Sequence, residues 1–519
     1  MNRPVSLERL DVSFVVNIHA GHRYLWRTMQ SLEAAAIYAR SERLRIELLF
    51  VLDRSPLPTK SWIRAYRTDL FDRVRIEEVD NGSLGLSRQA GLLLAGAEYI
   101  QFCDEDDLIS SNVTLVSYRV AQAAGPRSLV IPEFLFAFGA QAYLAHYASS
   151  DHVPKLSIIA QHPFVSRLFV HHSIVETLAY DDVPLGSGYA YEDWHFNSIA
   201  LARGFTFEIA PATVIYYRQR AKSLLQNMNA SSVGLPPPSP LYEPMTFIVT
   251  CRDDFHRLQL GELPAFDPKA MLDRFVADAD ILDATLAAHE IDAAIVVDTL
   301  KEAPLLSNLV GDFTLGQAYF KACKQILAEK FDVVILCETP DAYARSGTLD
   351  ATFTRGSGAG SMLVLLDGGP HDRSSLYYLP PCAVAIDLRS LEPGLSDMQV
   401  DIVALRLIEA AAPQADIHLS ASRFGSRFVR KFAALLADVD FIFHCSPTDG
   451  DGRSEIMRGH EFNFISEFGD DIDWIVCADA AAIKTYRSRL DWLNAKLIRK
   501  EDLSQRARRL TALGPPTTK

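Results

Sequence analysis

Between Asn81 and Ser110 the chain reads NGSLGLSRQAGLLLAGAEYIQFCDEDDLIS, and four adjacent acids close it: Asp104, Glu105, Asp106 and Asp107. Neighbouring carboxylates repel one another, so a folded chain keeps such a cluster where something offsets the charge. A hard divalent cation that also holds phosphate oxygens would offset it. Arg88, on the segment before, supplies a guanidinium, a group shaped for phosphate oxygens. A second acidic pair, Glu192-Asp193, stands in YEDWHFNSIALARG. Acids suit the first turn of a helix for electrostatic reasons alone, and an acid facing a cleft can also take up a proton.

The surrounding pattern positions these groups. Val12 to Ile18 is a continuous apolar run, as expected of a buried parallel strand. Tyr24 to Ala39 has Leu25, Met29, Leu32 and Ala36 at helical spacing. Strands are expected at Ile46–Leu52, ending in Asp53, and at Val74–Val79, with a helix around Lys60–Leu70 between them. Asn81, Gly82 and Gly85 then make a turn, Leu86–Leu94 a helix, and Glu98–Cys103 a strand that delivers the acids. The alternation predicts a mostly parallel, doubly wound α/β sheet, whose ligands bind beyond the carboxyl ends of the strands. No GxGxxG follows the first strand, so a dinucleotide fingerprint is absent.

Composition sets limits. A chain of 519 residues is expected to form two or three domains, and 49% hydrophobic residues supply ample cores. The formal charge of −14 argues against general nucleic-acid binding. No secretory signal is visible, and no apolar run approaches the ~20 residues of a membrane span. The cysteines are scattered without CxxC and read as buried reduced thiols of a cytoplasmic protein, not a zinc site.

The succession VSFVVNIHAGHRYLWRTMQSL, LLFVLDRS and NGSLGLSRQAGLLLAGAEYIQFCDEDDL resembles family 2 glycosyltransferases of GT-A fold, with Gln89 where that family prefers Asn. Tyr191-Glu192-Asp193-Trp194 resembles the family's Glu-Asp motif, and Tyr217-Arg218 with Ser223 its Arg-rich closing segment. The resemblance covers roughly residues 11–226 and implies transfer of a sugar from a nucleotide-sugar donor, with inversion, in assembly of a bacterial surface glycan. The acceptor would be a saccharide or a lipid-linked molecule. It implies that Asp106, with Asp104, holds Mg2+ or Mn2+, and that Arg88 and Arg218 face the donor diphosphate. Asp53 would accept from the base's imide N–H. Asp193, or alternatively Glu192, would be the catalytic base. Asp181-Asp182 would be an acceptor-side loop. The Gln-x-x-Arg-Trp signature of processive members is missing, which favours adding one sugar or few. His162, His171 and His172 sit among Phe164, Phe169 and Val170 and read as packed histidines, while His195 admits a ligand, a substrate contact or, in preference, a packed core histidine.

Ser231–Pro240 is the best linker. The expected organisation is a GT-A domain at 1–230, a linker at 231–242, a second Rossmann-like α/β domain at 243–480, and a basic amphipathic helix and tail at 481–519. Strands are expected at Ala293–Val297, Val333–Cys337, Met362–Leu366, Ala383–Asp387, Asp416–Ser420, Phe441–His444 and Trp474–Cys477. The glycine-rich stretch Arg355–Ser361 precedes a strand, which is the wrong order for a phosphate loop. The second half resembles the amino-terminal half of a GT-B glycosyltransferase, with too few residues after Cys477 for a donor-binding half; His418 then reads either as an acceptor contact or as a buried histidine. In the tail, Ile483, Tyr486, Leu490, Leu493 and Leu497 form one apolar stripe amid Lys and Arg. The stripe admits packing onto its own domain, self-association with a second copy, or peripheral contact with the inner face of an anionic membrane. Two rival functions remain at this stage: a catalytically silent scaffold, and a nucleotidyltransferase, which would want a Gly-rich basic loop after the first strand.

Overall fold

The computed structural model describes residues 10–184, 186–220, 229–262, 265–339, 361–368, 379, 381–445 and 453–499, with backbone only for 453–458. Ser223, the Arg355–Gly360 stretch and the tail from Lys500 lie outside the described residues. The chain forms two compact units: Met1–Leu241 with Thr250–Asp312, and Tyr242–Val249 with Phe313–Lys519.

Unit 1 is built on a ten-stranded sheet. Its strands are β1 (Val12–Ile18), β2 (Ile46–Asp53), β3 (Arg73–Val79), β4 (Tyr99–Asp104), β5 (Leu108–Ile109), β6 (Ser128–Gly139), β7 (Tyr143–His146), β8 (Phe169–His171), β9 (Thr206–Gln219) and β10 (Leu305–Ser307). The main path runs β10-β7-β6-β8-β4-β1-β2-β3, and β9 pairs with both β5 and β6. Strands β4, β1, β2 and β3 are mutually parallel, while β8 runs antiparallel to β4.

β1 and β2 are buried along their whole length, which is why they read as mostly apolar runs; Ser13 and Glu47, the buried exceptions facing each other, are bonded together. Val12, Phe14, Val16 and Ile18 enter a core shared with α1 (Leu25–Arg40), Ile63 of α2 (Leu57–Ala65), and Val113, Leu115 and Ala121 of α4 (Val113–Ala124). The helix α3 (Leu84–Leu94) covers the opposite face. It lies so close that a Cβ on Gly91 would meet Val15 Cγ1 at 2.3 Å.

The Pro-rich stretch does not end this unit. Phe134, Phe136, Phe138, Val214 and Tyr216 of β6 and β9 need a cover, and Met271, Phe275, Ile281, Ala288 and Ile295 supply it. These residues belong to the helices Pro268–Ala277 and Ala279–Ile291 and to the segment just after them. Asp267 and Asp278 cap the two helices with side-chain hydrogen bonds. The unit border therefore lies at Asp312, beyond the linker. Residues 293–297, expected as a strand, give no strand; a 3-10 turn at Val297–Lys301 follows.

Unit 2 contains a seven-stranded, all-parallel sheet of β11 (Val333–Cys337), β12 (Met362–Leu366), β13 (Ala383–Asp387), β14 (Asp416–Leu419), β15 (Phe441–His444), β16 (Trp474–Cys477) and β17 (Leu497–Arg499). The order is β13-β12-β11-β14-β15-β16-β17, reversing direction at β11. This is the Rossmann-like domain read from the sequence. His418 is wholly buried on β14, with Nδ1 2.7 Å from Nε2 of His444 on β15, as the buried-histidine reading holds. The basic stripe is not one long helix. A helix ends at Arg489, a 3-10 turn follows, and Leu497–Arg499 joins the sheet beside β16. Ile483, Tyr486, Leu490, Leu493 and Leu497 are all buried inside this unit, so its core consumes the stripe. No helix among the described residues is long and apolar enough to cross a membrane.

Candidate active site

The carboxyl ends of β1, β2 and β4 converge on one rim, and the acids after β4 fold into separate tasks. Glu105 turns back to hold the β1–α1 loop: its carboxylate accepts from the N–H groups of His19, Ala20 and Gly21 at 3.0, 3.3 and 2.7 Å. A side chain on Gly21 would strike the end of the Glu105 side chain at 2.3 Å and push it off these N–H groups. Asp107 is buried between Arg167 and the backbone N–H of Arg218, 2.9 Å away. Asp104 accepts an ion pair from Arg167 Nη2 at 2.5 Å and lies 3.4 Å from Arg88 Nη2. Burial raises the Asp104 pKa, but Arg167 and Arg88 outweigh it and leave the carboxyl below its ordinary value.

Asp106 is buried as well, and among the described residues its one ion-pair partner is Arg220, with Nη2 2.8 Å from Oδ2. Burial, then the Asp107 charge, push its carboxyl up to about 7 against the opposing pull of Arg220.

Arg88 joins this rim to a distant stretch of sequence. Its guanidinium, 2% exposed, lies 2.5 Å from Glu192 Oε1 at the start of α5 (Glu192–Ala202). Burial alone would lower the Arg88 pKa, but Asp104 and Glu192 raise it and keep the group charged. Tyr191, just before α5, has φ 63° and ψ 73°, a left-handed backbone that costs a non-glycine residue roughly 1–2 kcal/mol. This sharp entry sends the two acids of the pair into different surroundings. Glu192 is buried against Arg88, and burial raises its pKa despite that partner. Asp193 has a side chain 22% exposed and faces His162 Nδ1 at 3.8 Å. Burial lowers the His162 pKa and keeps the ring neutral.

The loop around Asp181 is pinned to the same place. Gln89 Oε1 accepts from Tyr180 N at 2.9 Å, and His195 Nε2 lies 2.8 Å from Asp181 Oδ2. A Cβ on Gly85 would meet the Asp181 carbonyl at 2.4 Å. His195 is thus buried, as read from the sequence, yet bonded to an exposed acid at the rim.

Two expected site residues have internal partners. Asp53, read as a contact for the base or as a turn residue only, has its carboxylate holding the turn before α3. It accepts from the N–H groups of Asn81, Gly82 and Ser83 and from Ser87 Oγ, at 2.9, 2.9, 3.2 and 2.7 Å. Burial raises its pKa, but these bonds, that of Gly82 foremost, outweigh it and hold the carboxyl below its ordinary value. Such a group adds stability that is present above its unfolded pKa and lost as pH falls through its folded one. Asp53→Asn is therefore expected to cost about 1.5–3 kcal/mol near neutrality. The gap to wild type should close below about pH 4, which urea unfolding at a series of pH values will measure.

Arg218, read as facing a diphosphate, is held by two bonds, Nε to the Asp106 carbonyl at 3.0 Å and Nη2 to Asp292 at 2.6 Å. Its guanidinium also lies 4.7 and 4.6 Å from the Tyr24 and Phe138 ring centres. Arg220, two residues on, is the guanidinium that meets Asp106. Arg167, Arg220 and Asp292 were missed from the sequence. Arg167 left one signal, a charge between Phe164 and Phe169, which must be paired if buried. Asp292 left none.

Hard-oxygen donors of this kind suit Mg2+ or Mn2+. Among the described residues no group of three or more His, Cys, Asp or Glu side chains is arranged to hold a metal ion. Asp104, expected as a second ligand, is held between two guanidiniums. Of the rim carboxylates, Asp106 is the one that would be left to hold such a cation.

Residues 13–142 match the family model of glycosyl transferase family 2. This stretch resembles family 2 glycosyltransferase domains. The match takes in Asp53, Arg88 and Asp104–Asp107, while Arg167, Glu192, Asp193 and Arg220 lie beyond it. Among solved structures, S. aureus TarS aligns at 13% identity and TM-score 0.30, over 56% of this chain and 50% of that one. TarS 1-349 in complex with UDP-GlcNAc aligns at 14% and 0.29, over 56% and 84%. GalNAc-T7 with UDP, GalNAc and Mn2+ aligns at 13% and 0.31, over 58% and 59%. The chain thus spans about half the length of the full TarS chain. No curated protein matches it.

Proposed function

We propose that the chain transfers a sugar from a nucleotide-sugar donor to a hydroxyl acceptor with inversion, using Asp193 as base and Asp106 as the anchor for a divalent cation. One observation carries this reading. Arg88, inside the family 2 match, bridges Asp104 of the acidic rim and Glu192 of α5, which lies outside the match. The bridge brings Asp193 to the rim that the family-matched stretch builds.

In this reading Glu192 positions and Asp193 reacts. A base needs access to the acceptor hydroxyl. Glu192 is buried and committed to a guanidinium; Asp193 has the exposed side chain of the pair. Deprotonated by Asp193, the acceptor oxygen would attack the anomeric carbon on the face opposite the diphosphate. A bound Mg2+ or Mn2+ would neutralise charge developing on the leaving diphosphate. Asp53 and Glu105 hold the two loops around the donor site.

The test is a panel of nucleotide sugars assayed for cation-dependent turnover or donor hydrolysis. At least one donor is expected to react, and Asp106→Ala is expected to abolish the cation requirement together with the turnover. A panel with no reacting donor, or an unchanged response from Asp106→Ala, would sink the catalytic reading.

A further inference from the structure

We infer that Arg220 is a built-in counter-cation, occupying the Asp106 carboxylate until a divalent cation and the donor diphosphate displace it. The inference rests on the cation assignment above and deepens it. Four guanidiniums meet the acidic rim, and they are held very differently. Arg88 and Arg167 are buried between pairs of acids, 2% and 11% exposed. Arg218 is fixed through its backbone, two side-chain bonds and two aromatic rings. Arg220 is different: 38% exposed, it has the Asp106 ion pair and a position 5.4 Å from the centre of the Tyr24 ring.

That difference decides which group can leave. Removing Arg88 or Arg167 would strand buried carboxylates, whereas a partly exposed guanidinium regains water when it moves. Asp106 loses its partner only at a cost, met either by a replacement cation or by uptake of a proton, because a buried carboxylate left without a counter-charge is unfavourable. A divalent cation is such a replacement, and a diphosphate is a suitable new partner for the released guanidinium. The chain would thus couple the two ligands: cation alone must compete with Arg220, and cation with diphosphate need not.

The experiment is Mn2+ binding to the full chain without nucleotide, read from the electron paramagnetic resonance signal of free Mn2+. Arg220→Gln is expected to bind Mn2+ about tenfold more tightly than wild type, and Arg220→Lys, which keeps the charge, to stay near wild type. Arg54→Gln removes a charge from the end of β2, where Arg54 pairs with Asp80; it should bind as wild type does, separating contact from net charge. Asp106→Asn should lose the gain when combined with Arg220→Gln. Equal Mn2+ affinity in wild type and Arg220→Gln, or an equal gain in Arg54→Gln, would overturn the inference. If Arg220→Gln takes up no Mn2+ while the donor panel shows cation-dependent turnover, the lock falls and the catalytic reading stands. If the panel is also blank, both fall.

Discussion

Asp193→Asn should lower kcat about 10²- to 10⁴-fold, the range for removal of a general base, while donor affinity stays near wild type. The asymmetry follows from geometry. Asp193 Oδ1 accepts from Trp194 N at 2.8 Å and Oδ2 faces the neutral His162, so among the described residues the carboxylate holds no guanidinium in place. Its loss takes a proton acceptor from the reaction and leaves the rim standing. Steady-state kinetics with a reacting donor, beside calorimetric titration of that donor, will separate the effects. Wild-type kcat in this variant would remove Asp193 from the role. If Glu192→Gln were inactive with an unchanged melting temperature, the role would move to Glu192.

Arg88→Met is expected to act on stability first. The substitution roughly conserves length but leaves Glu192 and Asp104 buried beside an apolar side chain. Breaking a buried charge pair from one side costs about 3–5 kcal/mol. Asp104 retains Arg167, so most of the cost falls on Glu192. Removing Glu192 as well, as Arg88→Met/Glu192→Met, should recover most of the lost stability because no stranded charge remains. The double variant should still be inactive, since the bridge that places α5 at the rim is gone. Thermal unfolding of the three proteins will decide it. A single variant as stable as wild type would show that Arg88 is not the strut described here.

These expectations differ in how much of them could be read before folding. β1 and β2 were legible because strands buried on both faces are mostly apolar, and β11, β12, β15 and β16 were legible for the same reason. The cluster Asp104–Asp107 stood out because four carboxylates in a row demand compensation. Arg88 stood out because it lies on the helix leading into them. What the sequence could not assign was the partner of each charge. Local spacing says that Glu192 and Asp193 begin a helix; it does not say which of them meets Arg88. That choice depends on the left-handed turn at Tyr191, a backbone state that no residue type there announces.

The border of unit 1 was illegible for a related reason. A proline-rich stretch marks where regular structure stops, but domain membership follows from which apolar faces need covering. The helices at 268–291 pack on β6 and β9 far back in the chain, and Asp292 arrives at Arg218 as a consequence. Sequence alone determined that this protein carries a rim of acids at the end of a parallel strand, with arginine close by. Tertiary structure decided which acids are spent on loops, which are locked by guanidiniums, and that Asp106 is held by the most exchangeable of them. The physical reason is that charge is set by residue type, while its compensation is set by what the fold brings within a few ångströms.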